Sequence, residues 1–571
     1  MIERKWVVKQ EGDLKKVEVL SNILNIDKKI AGLLVQRGIE TYEQARIFFR
    51  PQLSDLHDPF LMKDMEKAVS RLNEAIKNGE NILIYGDYDV DGTTGIALIY
   101  GFLRAIYPNI LYYVPDRYTE GYGMSIDGME YASANSVSLV IAVDCGIKDY
   151  VEIEFARKLS IDVIVCDHHN QGEELPNAYA ILDPKRNDCN YPYKNLSGCG
   201  VAFKFLQAFC QITKRDYCHL VKFLDLVVVS IGSDIVPITG ENRILAHFGL
   251  LQLNTDPCPG LKSIISIAGL TDKEIQINDI VFKIGPRINA AGRIESGKRA
   301  VELLIAEESN YAEKMGFEIN TINSSRKELD QDITEQALKM IEESEISKNT
   351  YSTVLYNESW HKGVLGIVAS RLTETYYRPT IIFTKSNGFL TGSARSVPGY
   401  NLYEAVEACS DLLENFGGHM YAAGLTLKME NINAFRERFE EYVRSTITEA
   451  QRIPVINADM EIEIKDITPK FYRILKQFAP FGPENMTPTF VSRRIYDNGC
   501  GKQVGKKGEH LKVKLVQQLG DNRCIEGIGF NFGQYYDYIK DYNSFDICYQ
   551  IFENNFMNQN FLQIFIKDIH I

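Results

Sequence analysis

The sequence predicts a multidomain α/β protein with a parallel sheet, a long connecting helix and a small C-terminal β-barrel. Three observations support this prediction. Apolar runs recur between residues 82 and 229, a long charged segment without proline follows at 307–344, and short alternating runs fill residues 455–571. Parallel strands that are covered on both faces are nearly continuously apolar, whereas a half-exposed barrel strand alternates between apolar and polar residues.

The length of 571 residues is sufficient for several domains, each with its own core. We expect five segments: a helical lead-in at 1–55, the domain with the parallel sheet at 56–300, a connecting helix at 301–345, a second α/β domain at 346–450, and the barrel at 451–571.

The composition is that of a soluble globular protein, with 45% apolar and 24% charged residues. The sequence contains no apolar stretch of about 20 residues, and its first residues lack the apolar core of a signal peptide. We therefore expect no membrane association and a cytoplasmic location.

Four short acidic segments lie in order along the first half of the chain, each after an apolar run. They are residues 86–92 with Asp87, Asp89 and Asp91, residues 143–146 with Asp144, residues 166–169 with Asp167, His168 and His169, and residues 232–234 with Asp234. We predict strands at 82–85, 141–143, 163–165 and 227–229, and a turn at Gly92 into a helix from Thr93 to Ile106. Since ligands of open parallel sheets bind outside the carboxyl ends of the strands, we expect these segments to meet at one edge.

Carboxylates that crowd together at one edge repel each other unless cations neutralise them. A lone Asp-Xaa-Asp is usually a turn or helix cap, and a lone histidine is usually structural, so the argument rests on all four segments together. Oxygen-rich ligation with one or two imidazoles suits Mn²⁺ or Mg²⁺ better than zinc. Two such ions, about 3.5–4 Å apart, can hydrolyse a phosphodiester.

These segments resemble the motifs of the DHH phosphoesterase superfamily, which is named for the triplet Asp167-His168-His169. Within it, the chain resembles the bacterial single-strand-specific 5′-to-3′ exonucleases over nearly its whole length. The further matching segments are residues 38–41, 56–60, 117–123, 286–293, 360–364, 417–419, 422–424 and 481–485. Methionine follows the last of these segments, where the family commonly has proline, and this departure affects only the local loop.

The resemblance implies roles for individual residues. The implied metal ligands are Asp89, Asp91, Asp144, His168 and Asp234, with Asp144 bridging two ions. The implied catalytic residues are Asp87, His169 and Arg287. The implied substrate-binding residues are Arg287, Asn289, Arg293, Ser393, Arg395, Gly417, Gly418 and His419.

The resemblance also implies the domain names and the activity. Residues 56–300 would form the DHH catalytic domain, 346–450 a DHHA1 substrate-binding domain and 451–571 an OB-fold that binds single strands. The implied activity is 5′-to-3′ hydrolysis of single-stranded DNA to 5′ mononucleotides with two Mn²⁺ or Mg²⁺ ions, in DNA repair and recombination. A helicase and a single-strand-binding protein are the implied protein partners.

A net charge of −13 requires local basic surfaces if the chain binds DNA. Two basic strips are candidates, at residues 283–299 and 493–514, although a charge run is more often simply a solvated face. The eleven cysteines are scattered without a Cys-Xaa-Xaa-Cys pair, so we predict reduced core thiols. Among them, Cys199 is expected to be a small residue packed at a helix start.

Three other functions remain as alternatives. Small members of the superfamily cleave cyclic dinucleotides, short oligonucleotides or pyrophosphate, but they would not need the C-terminal barrel. A non-enzymatic DNA-binding scaffold would have lost metal ligands, whereas every ligand position is filled in this sequence. A helicase would carry a Gly-Lys-Thr/Ser phosphate-binding loop, which is absent from the sequence.

Overall fold

The computed structural model describes residues 4–343, 350–556 and 559–571. The chain divides into two compact units. One consists of Trp6–Asn320 together with Asn457–Ile571, and the other of Thr321–Ile456 together with residues 4–5 at the start of the described chain. The predicted boundary between the connecting helix and the second α/β domain, at residues 345 and 346, lies outside the described residues.

The first part of the chain is helical, as predicted. It contains β1 (Lys5–Val8), α1 (Leu14–Leu24), α2 (Lys28–Val35) and α3 (Tyr42–Phe49). Aspartate or threonine caps each helix, because their side-chain oxygens accept backbone amides that have no partner inside the first turn. Helix α3 has a complete capping box between Thr41 and Gln44.

A five-stranded parallel sheet with the order β3-β2-β4-β5-β6 follows. Its elements are α4 (Met65–Asn78), β2 (Asn81–Gly86), α5 (Val90–Arg104), β3 (Ile110–Tyr113), α6 (Ile126–Ala134), β4 (Val137–Val143), α7 (Tyr150–Lys158), β5 (Asp162–Cys166) and β6 (Ala180–Leu182). One apolar core lies on each face of the sheet, which explains why its central strands are continuously apolar. The predicted strands at 82–85, 141–143 and 163–165 are confirmed.

The fourth predicted strand, at 227–229, is wrong because these valines lie in a buried helix. A short apolar run has the same appearance in a buried strand and in a helix that is buried on all sides. The helices of this region are α8 (Gly198–Thr213), α9 (Cys218–Val221), α10 (Leu224–Ser233), α11 (Gly240–Thr255), α12 (Pro259–Ile267), α13 (Ile277–Asp279), α14 (Gly285–Ile294) and α15 (Lys298–Leu304), with a π-helical turn at Ile280–Ile284.

The long helix α16 spans Ser309–Glu343, which confirms that a long connecting helix is present. It begins after residues 307 and 308, and residues 301–304 of the expected segment belong instead to α15. Residue 344 lies outside the described residues. The second unit has a mixed sheet with the order β10-β11-β9-β8-β7. Its elements are β7 (Thr353–Tyr356), α17 (Leu365–Tyr376), β8 (Thr380–Ser386), β9 (Phe389–Arg395), α18 (Leu402–Glu407), β10 (Leu413–His419), β11 (Ala422–Leu427) and α19 (Ile432–Thr446).

The C-terminal region is a closed barrel, as predicted. Its elements are β12 (Val455–Ala458), β13 (Met460–Glu461), α20 (Pro469–Lys476), β14 (Phe490–Asp497), β15 (Lys502–Val504), β16 (His510–Val516), β17 (Ile525–Gly529), α21 (Tyr536–Ile539), β18 (Phe545–Phe556) and β19 (Gln559–His570). Pairing of β14 with β16 closes the ring β14-β18-β19-β17-β16. Five strands that close in this way are typical of an OB-fold.

Helices α1–α3 share one hydrophobic core with the barrel, although several hundred residues separate them in sequence. Leu20, Ile30 and Leu34 of the helices belong to the same buried cluster as Phe478 and Phe490 of the barrel region. The helical lead-in is therefore part of the packing of the C-terminal domain. Among the described residues, no helix combines the length and apolar character needed to cross a membrane.

Candidate metal centre

Three of the four acidic segments lie at the carboxyl ends of adjacent parallel strands. Asp87 follows β2, Asp144 follows β4 and Asp167 follows β5. The fourth carboxylate, Asp234, instead lies at the C-terminal end of helix α10. The predicted convergence at one edge of the sheet is thus observed, but one member reaches it from a helix.

The first acidic segment contains the start of α5. Asp89 caps this helix, and its Oδ1 accepts hydrogen bonds from the amides of Asp91 (2.9 Å) and Gly92 (3.2 Å). The helix begins at Val90, so the predicted turn at Gly92 is wrong. Glycine is required there for another reason, since a Cβ atom would overlap the backbone of Asp87.

The acidic residues and histidines form three overlapping groups whose ligand atoms lie within 4.8 Å of one another. They are Asp87, Asp89 and Asp144; Asp91, His168 and Asp234; and Asp144, His168 and His169. The Nε2 atom of His168 lies 3.1 Å from Asp144 Oδ1. Asp144 therefore connects the first group with the imidazole of the second, which is the geometry that two neighbouring cations need from a shared ligand.

Several buried polar atoms of this centre form no hydrogen bond of normal geometry with the described part of the chain. Within the described part of the chain, neither carboxylate oxygen of Asp87, nor Asp144 Oδ1, nor either ring nitrogen of His168 forms a hydrogen bond of normal geometry. Burial first, and then the neighbouring aspartates, raise the pKa of Asp144 and of Asp87 well above the usual carboxyl range. Cations would both pair these atoms and neutralise the carboxylates, so the donor set fits Mn²⁺ or Mg²⁺.

Asp167 orients the histidine pair and does not join the metal-ligand groups. Its Oδ1 accepts from the amide of His168 at 2.7 Å and lies 2.7 Å from Nδ1 of His169, and its Oδ2 accepts from Ile147 at 3.0 Å. Burial would lower the pKa of His169, but the hydrogen bond and charge of Asp167 raise it to about 9. Because Nδ1 of His169 contacts Asp167, Nε2 is the ring nitrogen that remains for another hydrogen-bond partner.

Tyr122 is a site residue to which the sequence analysis assigned no role. Its hydroxyl lies 3.0 Å from His169 Nε2 and donates to the carbonyl oxygen of Asp144 at 3.2 Å. The residue as a whole is 55% exposed, and these two contacts of its hydroxyl tie it to the site. The segment 117–123 was matched as a motif, but nothing in the sequence showed that this tyrosine would reach His169.

We expect Tyr122→Phe to lower kcat about 3–10-fold on single-stranded DNA with little change in KM, since His169 loses one of its two hydrogen-bond partners. Steady-state kinetics on one oligonucleotide would measure both constants. Tyr131→Phe is the matched control, because Tyr131 is a partly exposed tyrosine on α6 away from the histidines. An unchanged kcat in Tyr122→Phe would show that the contact has no catalytic role.

A further carboxylate at the same edge of the sheet was also missed. Asp183 directly follows β6, is fully buried, and accepts from the amide of Lys185 at 2.6 Å. Burial, and then the charge of Asp167, raise the pKa of Asp183 to about 7. The only sequence signal was an acid after a short apolar run, and a three-residue strand such as β6 is too short for its pattern to be distinctive.

The predicted substrate-binding residues of the first unit all lie on helix α14. Arg287 donates to Asn320 Oδ1 (3.1 Å) and to the carbonyl oxygen of Lys283 (2.7 Å), and the carbonyl oxygen of Arg293 accepts a hydrogen bond from Tyr118. Asn289 lies between these arginines. The helix packs closely on the first acidic segment, because a Cβ atom at Gly292 would lie 2.7 Å from the carbonyl oxygen of Tyr88.

The predicted substrate-binding residues of the second unit lie on two strands that flank a third strand of the same sheet. Ser393 and Arg395 are on β9, which pairs through β11 with the strand β10 that carries Gly417, Gly418 and His419. Arg395 Nη1 donates to Ser393 Oγ at 3.1 Å. These five residues are thus brought together across one sheet.

Gly366 adds a close approach that the sequence analysis did not identify. A Cβ atom at Gly366, in the first turn of α17, would lie 2.7 Å from Nη2 of Arg395 and 3.1 Å from Oγ of Ser393. The arginine therefore lies against the start of a helix, where backbone amides favour anions.

Both predicted basic strips are partly neutralised by acids. In the first, Lys283 pairs with Asp279 (3.2 Å), and Arg299 pairs with Glu318 (2.6 Å). In the second, Arg493 pairs with Asp546 (2.8 Å). The strips therefore carry less net positive charge than the sequence suggested. The prediction for Cys199 is confirmed, since this buried residue lies at the start of α8.

The fold and the metal centre define a DHH-type phosphoesterase. The model of the DHH family N-terminal domain matches residues 81–231, and that of the DHHA1 domain matches 348–445. A third model, the RecJ OB domain, matches residues 458–568. The matched segments correspond to the parallel sheet, the mixed sheet of the second unit and the closed barrel.

The chain belongs to the RecJ family of single-stranded-DNA-specific exonucleases. It is 36% identical to the single-stranded-DNA-specific exonuclease RecJ of Bacillus subtilis strain 168 over 567 residues, which cover 99% of this chain and 70% of that protein.

Solved RecJ structures share the fold. The crystal structure of RecJ in complex with Mn²⁺ from Thermus thermophilus superposes with a TM-score of 0.85 at 24% identity, covering 99% of this chain and 79% of that one. A crystal structure of exonuclease RecJ bound to manganese has a TM-score of 0.60 at 30% identity, covering 70% of this chain and 98% of that one.

Proposed function

We propose that this chain is a single-strand-specific 5′-to-3′ DNA exonuclease that releases 5′ mononucleotides with two Mn²⁺ or Mg²⁺ ions. The observation that carries the proposal is the candidate metal centre. Two ligand groups meet there at Asp144 and His168, and several buried carboxylate oxygens and ring nitrogens form no hydrogen bond of normal geometry. The relatives named as single-stranded-DNA-specific exonucleases support the substrate, and the barrel supports binding of a single strand.

The proposed ligands divide between two cations. Asp87, Asp89 and Asp144 would hold one ion, and Asp91, His168 and Asp234 would hold the other, with Asp144 near both. This assignment adds Asp87 to the ligands, because both of its oxygens are buried and without a hydrogen bond. Bound in this way, the ions would supply a nucleophilic water and stabilise the charge of the phosphodiester.

The other residues of the centre would position groups rather than bind metal. Asp167 contacts Nδ1 of the His169 ring, and the hydroxyl of Tyr122 contacts Nε2. We propose that His169 Nε2 contacts the scissile phosphate, with Arg287, Asn289 and Arg293 holding the DNA backbone. In the second unit, Ser393, Arg395, Gly417, Gly418 and His419 would bind further phosphates of the strand.

The decisive experiment uses matched single-stranded and duplex oligonucleotides that are labelled at either end, with Mn²⁺ or Mg²⁺. We expect immediate release of labelled mononucleotide only from the 5′-labelled single strand. Cleavage restricted to cyclic dinucleotides or dinucleotides would replace this proposal with a small-substrate phosphodiesterase. Binding without cleavage under every metal condition would favour a scaffold protein.

We expect Arg395→Met to raise KM for single-stranded DNA about 10–100-fold, because a charge-assisted contact with a phosphate is lost. The change in kcat should be smaller, since the proposed metal ligands lie in the other unit. Arg438→Met is the matched control, because Arg438 forms an exposed ion pair with Asp411 on the same unit. An unaltered KM would remove Arg395 from the substrate-binding residues.

The remaining parts of the proposal concern the cell. The resemblance to the family supports a role in DNA repair and recombination, with a helicase and a single-strand-binding protein as proposed partners, and we further propose a cytoplasmic location. The domain bounds at 55, 300, 345 and 450 remain predictions. Co-purification with DNA-processing proteins from cell extract, with and without nuclease treatment, would test the partners.

A further inference from the structure

The carboxylate of Asp91 is held by three donors from outside its own helix. The amide of Gly198 donates to Oδ2 at 2.7 Å, while the amide of Cys199 donates to Oδ1 at 2.8 Å. The hydroxyl of Ser230 on α10 donates to Oδ1 at 2.7 Å. Asp91 is only 1% exposed, so water does not compete for these contacts.

These contacts limit how Asp91 can bind a cation. A carboxylate offers about four acceptor positions, two on each oxygen. Two hydrogen bonds occupy Oδ1 and one occupies Oδ2. The remaining position is on Oδ2, the oxygen that lies 3.6 Å from His168 Nε2. Asp91 therefore has one oxygen to offer to one cation, on the side of His168.

The same helix start also contacts Asp144. A Cβ atom at Gly198 would lie 2.7 Å from Cβ and 3.0 Å from Oδ1 of Asp144, so only glycine fits without displacing that carboxylate. Ser197 caps the helix by accepting from the amide of Gly200 at 3.1 Å, and its hydroxyl lies 2.6 Å from that of Ser230. One short segment thus touches two proposed metal ligands.

We propose that the start of α8 (Ser197, Gly198 and Cys199) and Ser230 form a clamp that fixes Asp91 as a one-oxygen ligand of a single cation. The clamp also sets the position of Asp144 through the missing side chain at Gly198. Its members are positioning residues, which act through the carboxylates and do not touch the ions. This inference rests on the proposed function, since it concerns the same metal centre.

The dipole of α8 supports this role. Sixteen residues of helix, Gly198–Thr213, direct their N-terminal amides at the carboxylate. Such an end favours a negative charge. The clamp therefore holds the Asp91 carboxylate in one orientation for metal binding. Outer partners of this kind typically change metal affinity or activity by about 10–100-fold when they are removed.

The test is Mn²⁺ binding to the full chain by electron paramagnetic resonance and calorimetry, with wild type and Ser230→Ala compared. We expect wild type to bind two ions and Ser230→Ala to bind one of them about 10–100-fold more weakly. Turnover of Ser230→Ala should recover at high Mn²⁺, so the loss should appear in the metal dependence and not in the maximal rate. The helix itself should persist, because Ser197 still caps it.

Ser263→Ala is the matched control. Ser263 is a buried serine on α12 of the same unit, and its hydroxyl has no hydrogen-bond partner among the described residues. Unchanged Mn²⁺ affinities in Ser230→Ala would overturn the clamp, and so would an equal loss in Ser263→Ala.

Gly198→Ala provides a second, independent variant. This variant should bind both ions more weakly, since the added methyl group displaces the shared ligand Asp144. Weaker binding of one ion alone would contradict the claim that α8 positions Asp144. If wild type binds two Mn²⁺ ions but does not cleave single-stranded DNA, the proposed function fails while the binding comparison still decides the clamp.

Discussion

Replacing Asp144 by asparagine should lower the turnover of single-stranded DNA on the order of 10³-fold, because the ligand proposed to serve both cations loses its charge. Asparagine is a better replacement than alanine. Asp144 has a φ of 61°, in the left-handed region that asparagine and aspartate tolerate and alanine does not. The measurement is the initial rate of mononucleotide release at saturating Mn²⁺.

The same variant should have the opposite effect on the metal-free protein. Burial, and then the charges of Asp91 and Asp89, raise the pKa of Asp144 well above its usual range, so an ionised carboxylate there destabilises the fold without cations. In EDTA, Asp144→Asn should therefore have a higher Tm than wild type. On addition of Mn²⁺, it should gain less in Tm than wild type, because it binds the ions more weakly.

Asp162→Asn is the matched control for both measurements. Asp162 lies on the same sheet at the opposite, amino-terminal end of β5, where it forms a half-exposed ion pair with Arg71. Its loss should change stability by at most about 1 kcal/mol and leave turnover unaffected. Wild-type turnover in Asp144→Asn would contradict a shared ligand at this position.

Arg243→Met should lower the free energy of unfolding by about 3–5 kcal/mol, the largest expected effect on stability in the chain. The guanidinium group of Arg243 is buried, and no carboxylate of the described residues pairs with it. It donates to five backbone carbonyl oxygens, of Phe48 (2.9 Å), Gln477 (3.4 Å), Phe478 (2.8 Å), Ala479 (2.9 Å) and Pro480 (3.3 Å). The group also stacks 3.7 Å from the centre of the Phe48 ring.

Methionine would fill the space of the arginine stem but remove one donor from each of these buried carbonyl oxygens. Those of Phe478 and Pro480 would keep a hydrogen bond from Nδ2 of Asn485 (2.9 Å each), whereas the others would lose the donor that Arg243 supplies. Because α11 with Arg243, α3 with Phe48 and the segment before the barrel meet at this group, the loss should loosen all three. Faster backbone hydrogen exchange should appear first at residues 45–50 and 477–481. Urea unfolding of the full chain, followed by fluorescence and circular dichroism, would give the change in stability for the transition of this unit.

Two further variants test whether the loss of stability comes from the buried guanidinium group of Arg243. Arg243→Lys keeps the charge but has three donors instead of five, so its loss should be intermediate. Arg50→Met removes an exposed arginine that donates to Phe49 and Gln477 in the same region, and it should cost less than about 0.5 kcal/mol. A loss in Arg243→Met no larger than that of Arg50→Met would show that the carbonyl oxygens find other partners.

Much of the fold was predictable from local pattern. The continuous apolar runs at 82–85, 141–143 and 163–165 correspond to β2, β4 and β5, and the alternating runs at 511–516 and 561–566 lie in β16 and β19. Pattern alone failed at 227–229, since a helix that is buried on every side has no polar face to reveal its period. The valines of α10 are such a case.

The candidate site was predictable in its members but not in its geometry. The acidic segments indicated which carboxylates and histidines would meet, because each followed an apolar run. Their roles depend on contacts that the sequence does not show, such as those of Asp91 with Gly198 and Ser230, more than a hundred residues away. Tyr122 lies in a matched segment, but its contact with His169 could not be predicted from that segment. Asp183 was missed because it stands in no distinctive local pattern.

The sequence by itself determined most of the element types, the metal-ligand chemistry and the family, because these depend on side-chain identity and on the period of apolar residues along short stretches. Only the tertiary structure decided that Asp234 approaches from a helix end, that α8 holds Asp91, and that helices α1–α3 share a core with the barrel. These features depend on packing between segments far apart in sequence, where small differences in distance decide which atoms pair.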